Sequence, residues 1–144
     1  MPTPDISVII VSWNVRELLA NCLRSVLAQT ELALQVIVVD SASSDGSPEM
    51  VADQFPQVEL LACQENVGFP RGNNLGLERA NGRFILLLNP DTIVEEDTLR
   101  TLVAFLDAHP RAGAVGPMIL NPDGTFAPES RRSFPTPEAA FYRM

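Results

Sequence analysis

SVIIVS, residues Ser7–Ser12, is an apolar run without alternation of polar and apolar positions. Such a run is typical of a strand that is buried on both faces of a sheet. The sequence between this run and each later apolar run is long enough for a helix. Four later runs also predict strands: Leu34–Asp40 (LQVIVVD), Val58–Ala62 (VELLA), Phe84–Asn89 (FILLLN) and Ala112–Leu120 (AGAVGPMIL).

The segments between these strands have helical patterns. Asn14 and Glu17 match a capping box that would begin the first helix. Ser47 followed by Pro48 would begin the second, and Asn81-Gly82 would end the third. The apolar spacing and these end signals predict helices that run from Asn14 to Leu27, Ser47 to about Phe55, Pro70 to Ala80 and Glu96 to about His109.

Strands and helices therefore alternate from one end of the sequence to residue 120. This order predicts an α/β fold with a mostly parallel, twisted sheet, right-handed crossovers and helices on both faces. The length of 144 residues corresponds to one domain. From Asn121 onward the sequence is rich in proline and predicts irregular structure.

The composition indicates which class of partner is disfavoured and in which compartment the protein is expected. The net charge of −8 disfavours a general nucleic-acid binder, which would carry a basic face. Two cysteines without metal or disulfide spacing indicate free thiols and a reducing, cytoplasmic compartment. Met1–Asp5 is polar and does not predict a signal peptide, and no apolar run approaches the ~20 residues of a membrane span.

Polar clusters follow the predicted strands at their carboxyl ends, where ligands of such sheets bind. Each cluster also has a structural explanation: Asn14 as a helix cap, Trp13 as core, Asp45-Gly46 as a turn, and GNNLG as a helix start. The clusters are Ser12-Trp13-Asn14, Asp40 with the serines after it, Asn66–Asn74, and Asn89-Pro90-Asp91.

Asp91 is the sharpest candidate, because the chain contains its own control. Asn121-Pro122-Asp123-Gly124 repeats the same tripeptide in a good type I turn sequence, whereas the copy at Asn89–Asp91 follows an apolar run and lacks the glycine. Mg²⁺ and Mn²⁺ prefer oxygen ligands and often bind through one or two carboxylates plus substrate phosphates. A single carboxylate at Asp91 therefore predicts a metal that is shared with a diphosphate.

Together these motifs resemble the family 2 glycosyltransferases of the GT-A, Rossmann-like fold, and in particular their rhamnosyltransferase-like branch. The resemblance implies a role for each strand-end cluster, although Ser41 stands where the family often has Asn. The nucleotide base and ribose would contact Val11, Ser12, Trp13, Asn14, Asp40 and Ser41; the donor side would be lined by Asn66, Gly68, Asn73 and Asn74; Asn89, Pro90 and Asp91 would form the metal motif, with Asp91 as ligand; and Ser130–Pro135 would lie near the diphosphate or acceptor.

The resemblance also implies an activity. A sugar would pass from a dTDP- or UDP-sugar, with dTDP-rhamnose the first expectation, to a cell-surface glycan or lipid-linked acceptor. The transfer would proceed with inversion and with Mn²⁺ or Mg²⁺ as cofactor. Peripheral association with the inner face of the cytoplasmic membrane is an open alternative to a purely cytoplasmic protein. A sugar-1-phosphate nucleotidyltransferase and a non-catalytic nucleotide-binding module are the rival functions.

The family places its catalytic base later in the sequence than residue 144. Residues 1–144 are therefore expected to be a donor-binding domain, truncated at the C-terminus, that transfers little sugar by itself.

Overall fold

The computed structural model describes residues 3–127, which form a four-stranded parallel sheet with four helices. The strands are β1 (Ile6–Ser12), β2 (Leu34–Asp40), β3 (Glu59–Ala62) and β4 (Phe84–Leu88). The helices are α1 (Arg16–Leu27), α2 (Ser47–Gln54), α3 (Gly68–Leu77) and α4 (Thr98–Ala108). The predicted α/β class, with its parallel sheet, is confirmed.

β1 lies inside the sheet, whose strand order is β3-β2-β1-β4. All seven of its residues are buried. Ser12 is paired in register with Asp40 of β2, and Ile10 is paired with Leu88 of β4. β2 pairs with one edge of β1 and β3 pairs with β2, whereas β4 pairs with the other edge of β1. The strand order thus switches beside β1, where sheets of this type leave a crevice for ligands.

Helices cover both faces of the sheet, as predicted. Alternate residues of β1 point to opposite faces: Val8 and Ile10 pack with α1, α2 and α4, while Ile9 and Val11 belong to a smaller cluster with α3. β4 is covered unevenly, because Ile85 and Leu87 remain exposed on the α3 side. α3 therefore packs over the centre of the sheet rather than over its β4 edge.

Two glycines allow α3 to lie very close to β1. A Cβ at Gly72 would come within 2.8 Å of a methyl group of Val11, and a Cβ at Gly76 would overlap a methyl group of Ile9. The two glycines are four residues apart and therefore share one face of the helix. Their missing side chains set the distance between the helix and the strand.

The predicted caps of the first two helices are wrong. Asn14 has a left-handed backbone (φ 53°) and α1 begins only at Arg16, so the Asn14–Glu17 capping box does not form. α2 begins at Ser47 itself, with Pro48 in its first turn as expected. The side chain of Asp45 caps the N-termini of both helices. Its Oδ2 accepts the N–H of Arg16 at 2.9 Å, and its Oδ1 accepts the N–H of Ser47 at 3.0 Å.

The predicted fifth strand is also wrong. Residues 112–120 form no strand among the described residues; Leu120 makes only an isolated antiparallel bridge with Phe126. Most of this segment is exposed, and none of it is buried. Gly113, Gly116 and Pro117 disfavour a strand, and the apolar residues between them could not overcome this without a paired neighbour.

Two other helices differ from prediction at their ends. α3 begins two residues before Pro70, at Gly68, and ends at Leu77, so Asn81-Gly82 lies beyond it. α4 begins at Thr98 rather than at Glu96. In the range 3–127, every helix is too short or too polar to cross a membrane.

The close packing of α3 predicts that Gly76→Ala destabilises the protein. The added methyl group would overlap the side chain of Ile9, which is β-branched and fully buried. Forcing one extra carbon into such a core should lower the free energy of unfolding by about 1–3 kcal/mol, measured by urea denaturation. Gly113→Ala is the control, since nothing lies within 4 Å of a Cβ there. Equal stability of both variants would contradict the packing.

The double cap predicts that Asp45→Ala lowers the free energy of unfolding by about 1–2 kcal/mol at pH 7. Burial alone would raise the pKa of Asp45, but hydrogen bonds from Ser47 and Arg16 outweigh it and lower that pKa. The stabilisation should be complete above the unfolded pKa of about 3.9 and be lost as the pH falls through the lower folded value.

Asp53→Ala is the control for this second prediction, since Asp53 is exposed and its carboxylate makes no hydrogen bond or ion pair within residues 3–127. It should change the free energy of unfolding by less than about 0.5 kcal/mol. An Asp45 effect that stayed constant down to low pH would show that the charge is not responsible.

Candidate functional site

The ends of β1 and β2 are joined by hydrogen bonds between their following loops. Oδ1 of Asn14 accepts the N–H of Ser44 at 2.8 Å, and the N–H of Asn14 donates to Oγ of Ser43 at 2.9 Å. Asn14 is therefore not a helix cap; its side chain holds the serine loop beside the end of β1. Asn14 and Ala42 both have left-handed backbones, with φ of 53° and 61°. Such conformations are costly for residues with a Cβ and are often found at functional sites.

A second set of hydrogen bonds joins the end of β2 to the start of α3. Oγ of Ser41 donates to Oδ1 of Asn66 at 3.0 Å and accepts the N–H of Val67 at 2.9 Å. Oδ1 of Asn66 also accepts the N–H of Gly68, which has a left-handed backbone with φ of 71°. Ser41 and Asn66, far apart in sequence, are thus in direct contact.

Asp40 lies beneath this loop and is almost fully buried, at 1% exposure. Its Oδ1 accepts the N–H of Ser43 at 2.8 Å, but Oδ2 has no hydrogen-bond partner among the described residues. The hydroxyl of Ser12, paired with Asp40 in register, also lacks a partner there. Buried polar atoms without partners are costly, so this pair is a place where a polar ligand atom would be stabilised.

The remaining candidates of this region differ in exposure. Trp13 is 55% exposed, so its indole is a surface group at the mouth of the crevice and not part of the core. Val11 is buried beneath Gly72. Asn73 is buried and its amide nitrogen donates to the carbonyl of Phe69 at 2.9 Å, whereas Asn74 is exposed.

The Asn89-Pro90-Asp91 segment forms a turn directly after β4. The N–H and the hydroxyl of Thr92 both donate to the carbonyl of Asn89, at 3.3 and 2.7 Å. β4 is the neighbour of β1, so this turn borders the crevice at the switch in strand order. Asp91 is exposed, and its carboxylate makes no hydrogen bond or ion pair in the described part of the chain.

Asp123 shows what the same tripeptide does in an ordinary turn. The N–H of Gly124 donates to the carbonyl of Asn121 at 2.9 Å, which confirms the predicted turn. The N–H and hydroxyl of Thr125 donate to Oδ1 of Asp123, and these bonds lower the pKa of that carboxyl. The carboxylate of Asp123 is therefore engaged locally, whereas that of Asp91 is available to a ligand.

Helix α1 and the segment just after it contact the turn and the residues that follow the turn, through polar side chains that the sequence did not single out for function. Cys22 is one of the two free thiols and is buried. The contacts are Sγ of Cys22 to the carbonyl of Asn89 at 3.6 Å, the N–H of Val94 to Oγ of Ser25 at 3.0 Å, and Nε2 of Gln29 to the carbonyl of Glu95 at 3.1 Å.

The Cys22 thiol keeps its proton at neutral pH. Burial raises its pKa to about 11; the charge of Asp91 acts in the same direction, while hydrogen bonding to Thr92 opposes it. Cys22 is therefore a neutral S–H donor to the carbonyl of Asn89. Cys63, the other cysteine, is also a free thiol and is only partly buried.

The donor set around Asp91 fits a shared metal rather than a metal enclosed by protein. No cluster of three or more histidine, cysteine or acidic residues occurs within residues 3–127. One exposed, unpaired carboxylate leaves most coordination positions of Mg²⁺ or Mn²⁺ open to phosphate and water, as these ions require. The Ser130–Pro135 segment lies outside the described residues.

Sequence comparison finds relatives in bacterial polysaccharide synthesis. The succinoglycan biosynthesis protein ExoO of Rhizobium meliloti is 34% identical over 106 residues, which cover 73% of this chain and 30% of the relative. An N-acetylglucosaminyl-diphospho-decaprenol L-rhamnosyltransferase of Mycobacterium tuberculosis is 27% identical over 141 residues, which cover 90% of this chain and 46% of the relative. The chain thus spans less than half the length of either.

Solved structures show the same fold. The mannosyltransferase PcManGT of Pyrobaculum calidifontis, in complex with GDP-Man and Mn²⁺, matches with a TM-score of 0.68 and 28% identity over 85% of this chain and 37% of its own. S. aureus TarS 1–349 in complex with UDP-GlcNAc matches with a TM-score of 0.66 and 26% identity over 78% of this chain and 37% of its own.

The model of the family described as "Glycosyl transferase family 2" matches residues 7–143, almost the whole sequence. The GT-A type of sheet and the strand-end motifs agree with this match. The chain belongs to the family 2 glycosyltransferases.

Proposed function

We propose that this glycosyltransferase domain binds a nucleoside-diphosphate sugar in the crevice between the ends of β1 and β4, for transfer of the sugar to an acceptor hydroxyl. One observation carries the proposal: two carboxylates with oxygens that lack a partner among residues 3–127 lie at the ends of the strands that flank β1. Asp40 is the last residue of β2, and Asp91 follows β4. A donor with its base at Asp40 and its diphosphate at Asp91 would lie across the switch in strand order.

The nucleoside end of the donor would lie over Ser12, Asn14 and Asp40, beside the exposed indole of Trp13. Uracil and thymine carry an N3–H that the free oxygen of Asp40 can accept, whereas N3 of cytosine is an acceptor. Asp40 would therefore select a UDP- or dTDP-sugar. The mycobacterial rhamnosyltransferase, similar over 90% of the chain, makes dTDP-rhamnose the first donor to test.

The diphosphate end would lie beside Asp91. Asp91 would hold a divalent cation, Mn²⁺ or Mg²⁺, together with the diphosphate, and the bound ion would supply Lewis-acid stabilisation of the leaving group. Asn89 would be a polar neighbour, and Pro90 would fix the turn that presents the carboxylate. Asn66, Gly68 and Asn74 would line the donor from the α3 side, with Asn73 supporting them from within the helix.

The acceptor would be a cell-surface glycan or its lipid-linked precursor, as the names of the relatives suggest. Transfer with inversion needs a base to take the proton of the acceptor hydroxyl. Glu95, Glu96 and Asp97 do not fit this role, because they stand immediately before α4, where acidic residues suit the helix dipole. We place the reaction in the cytoplasm, at the inner face of the membrane when the acceptor is lipid-linked.

The metal role predicts that Asp91→Ala abolishes the Mn²⁺-dependent part of UDP or dTDP binding, because the variant loses the carboxylate that would hold the shared ion. Isothermal titration calorimetry with and without Mn²⁺ measures this part directly. Asp123→Ala is the matched control: it removes a carboxylate from the same tripeptide, but from one that is engaged by Thr125. Equal losses in both variants would refute the assignment of Asp91.

The base role predicts that the protein binds UDP or dTDP about tenfold or more tightly than CDP, since a hydrogen bond to a charged acceptor contributes about 1.5–3 kcal/mol. Asp40→Asn keeps the shape of the side chain and an oxygen for the N–H of Ser43, but presents an NH₂ donor to the base. The variant should lose this preference or favour CDP. Competition titrations measure the ratio, and an unmodified protein indifferent to the base would exclude Asp40 from the site.

A further inference from the structure

The side of α1 that faces the metal-motif turn presents a row of polar groups. Cys22 and Ser25 are three residues apart on the helix, and Gln29 follows four residues later, just past its end. This spacing puts Cys22 and Ser25 on one side of the helix. Gln29 continues the row beyond the helix end, where its amide reaches the carbonyl of Glu95. The hydroxyl of Ser25 also donates to the carbonyl of Cys22 at 2.7 Å, so its orientation is fixed by the helix itself.

The row holds the chain on both sides of Asp91. Before it, the carbonyl of Asn89 accepts the Cys22 thiol as well as the two donors of Thr92. Thr92 in turn lies 3.9 Å from the Cys22 sulfur through its hydroxyl. The turn is therefore stabilised by hydrogen bonds of its own and also by a hydrogen bond from the helix.

After Asp91, the backbone is held at two successive residues. The N–H of Val94 donates to Ser25, and Val94 is itself buried in the core beneath α1 and α4. The carbonyl of Glu95 accepts the amide of Gln29. Between the fastened points, the Asp91 side chain has no partner among residues 3–127. Its direction thus depends on the backbone that the row holds.

We propose that Cys22 and Ser25, assisted by Gln29, are positioning residues that orient Asp91 toward the ion it shares with the donor diphosphate. The inference rests on the proposed function for the identity of the ion. A protein that supplies one carboxylate cannot enclose the ion, so the orientation of that carboxylate decides how much it contributes. Removing outer contacts of a metal ligand typically costs ~10–100-fold in metal affinity.

Three variants test the row. Cys22→Ala removes the thiol, and Ser25→Ala removes the hydroxyl. Cys22→Ser replaces the thiol with a hydroxyl and so keeps a hydrogen-bond donor at this position. In the presence of saturating UDP, Mn²⁺ affinity measured from the EPR signal of free Mn²⁺ should fall about 10–100-fold in both alanine variants. Cys22→Ser should recover most of the loss. UDP affinity without metal, followed by Trp13 fluorescence, should stay unchanged.

Val51→Ala separates positioning from general stability. Val51 is buried on α2 and makes none of the contacts to the turn described above. Its truncation should lower the free energy of unfolding at least as much as Ser25→Ala does, yet leave Mn²⁺ affinity unaltered. If Val51→Ala weakens Mn²⁺ binding as strongly as Ser25→Ala, or if Cys22→Ser behaves like Cys22→Ala, the row has only a structural role and the proposal is wrong.

Hydrogen exchange tests the contacts between the row and the turn without metal or nucleotide, and therefore independently of the proposed function. The amides of Thr92 and Val94 should exchange faster in Ser25→Ala and Cys22→Ala than the difference in global stability explains. Protection unchanged at both amides would overturn the positioning role even if Mn²⁺ binds. Conversely, an unmodified protein that binds no Mn²⁺ with UDP would refute the metal site, while faster exchange in the variants would still support the fastening of the turn.

Discussion

The complete burial of β1 is the constraint on which the other features depend. A strand with apolar side chains on both faces needs helices on both faces and partner strands on both edges. α3 meets this need on one face only because Gly72 and Gly76 let it approach the strand closely. The addition of β2 to one edge and β4 to the other creates the switch in strand order. The crevice is therefore a consequence of how the central strand is covered.

The candidate site at this crevice consists of loops that are connected to one another by hydrogen bonds. Asn14 holds the serine loop after β2, Ser41 holds the start of α3 through Asn66, and Cys22 contacts the turn after β4. Each contact joins two segments that follow different strands. Such mutual bonds reduce the freedom that the loops would otherwise lose when a ligand orders them.

Among residues 3–127, the carboxylates of Asp40 and Asp91 both keep an oxygen without a hydrogen-bond partner, but the two carboxylates differ in exposure. The free oxygen of Asp40 is buried and fixed, which suits recognition of one hydrogen-bonding pattern. The carboxylate of Asp91 is exposed and has no partner among residues 3–127, which suits the proposed ion, since that ion would enter and leave with the donor. The contrast with Asp123 shows that the tripeptide alone does not decide this, because the following Gly124 and Thr125 turn the same carboxylate inward on its own loop.

The sequence alone determined the strand–helix order, the parallel sheet and the placing of polar residues at strand ends, because these follow from local periodicity and from the geometry of parallel sheets. The tertiary structure decided the rest. The Ala112–Leu120 run looked like a strand but has no partner in the described sheet. Asp45 replaced the predicted caps because loops 29 residues apart meet there. The Cys22 contact to the turn spans 67 residues, and no local pattern encodes a hydrogen bond at that separation.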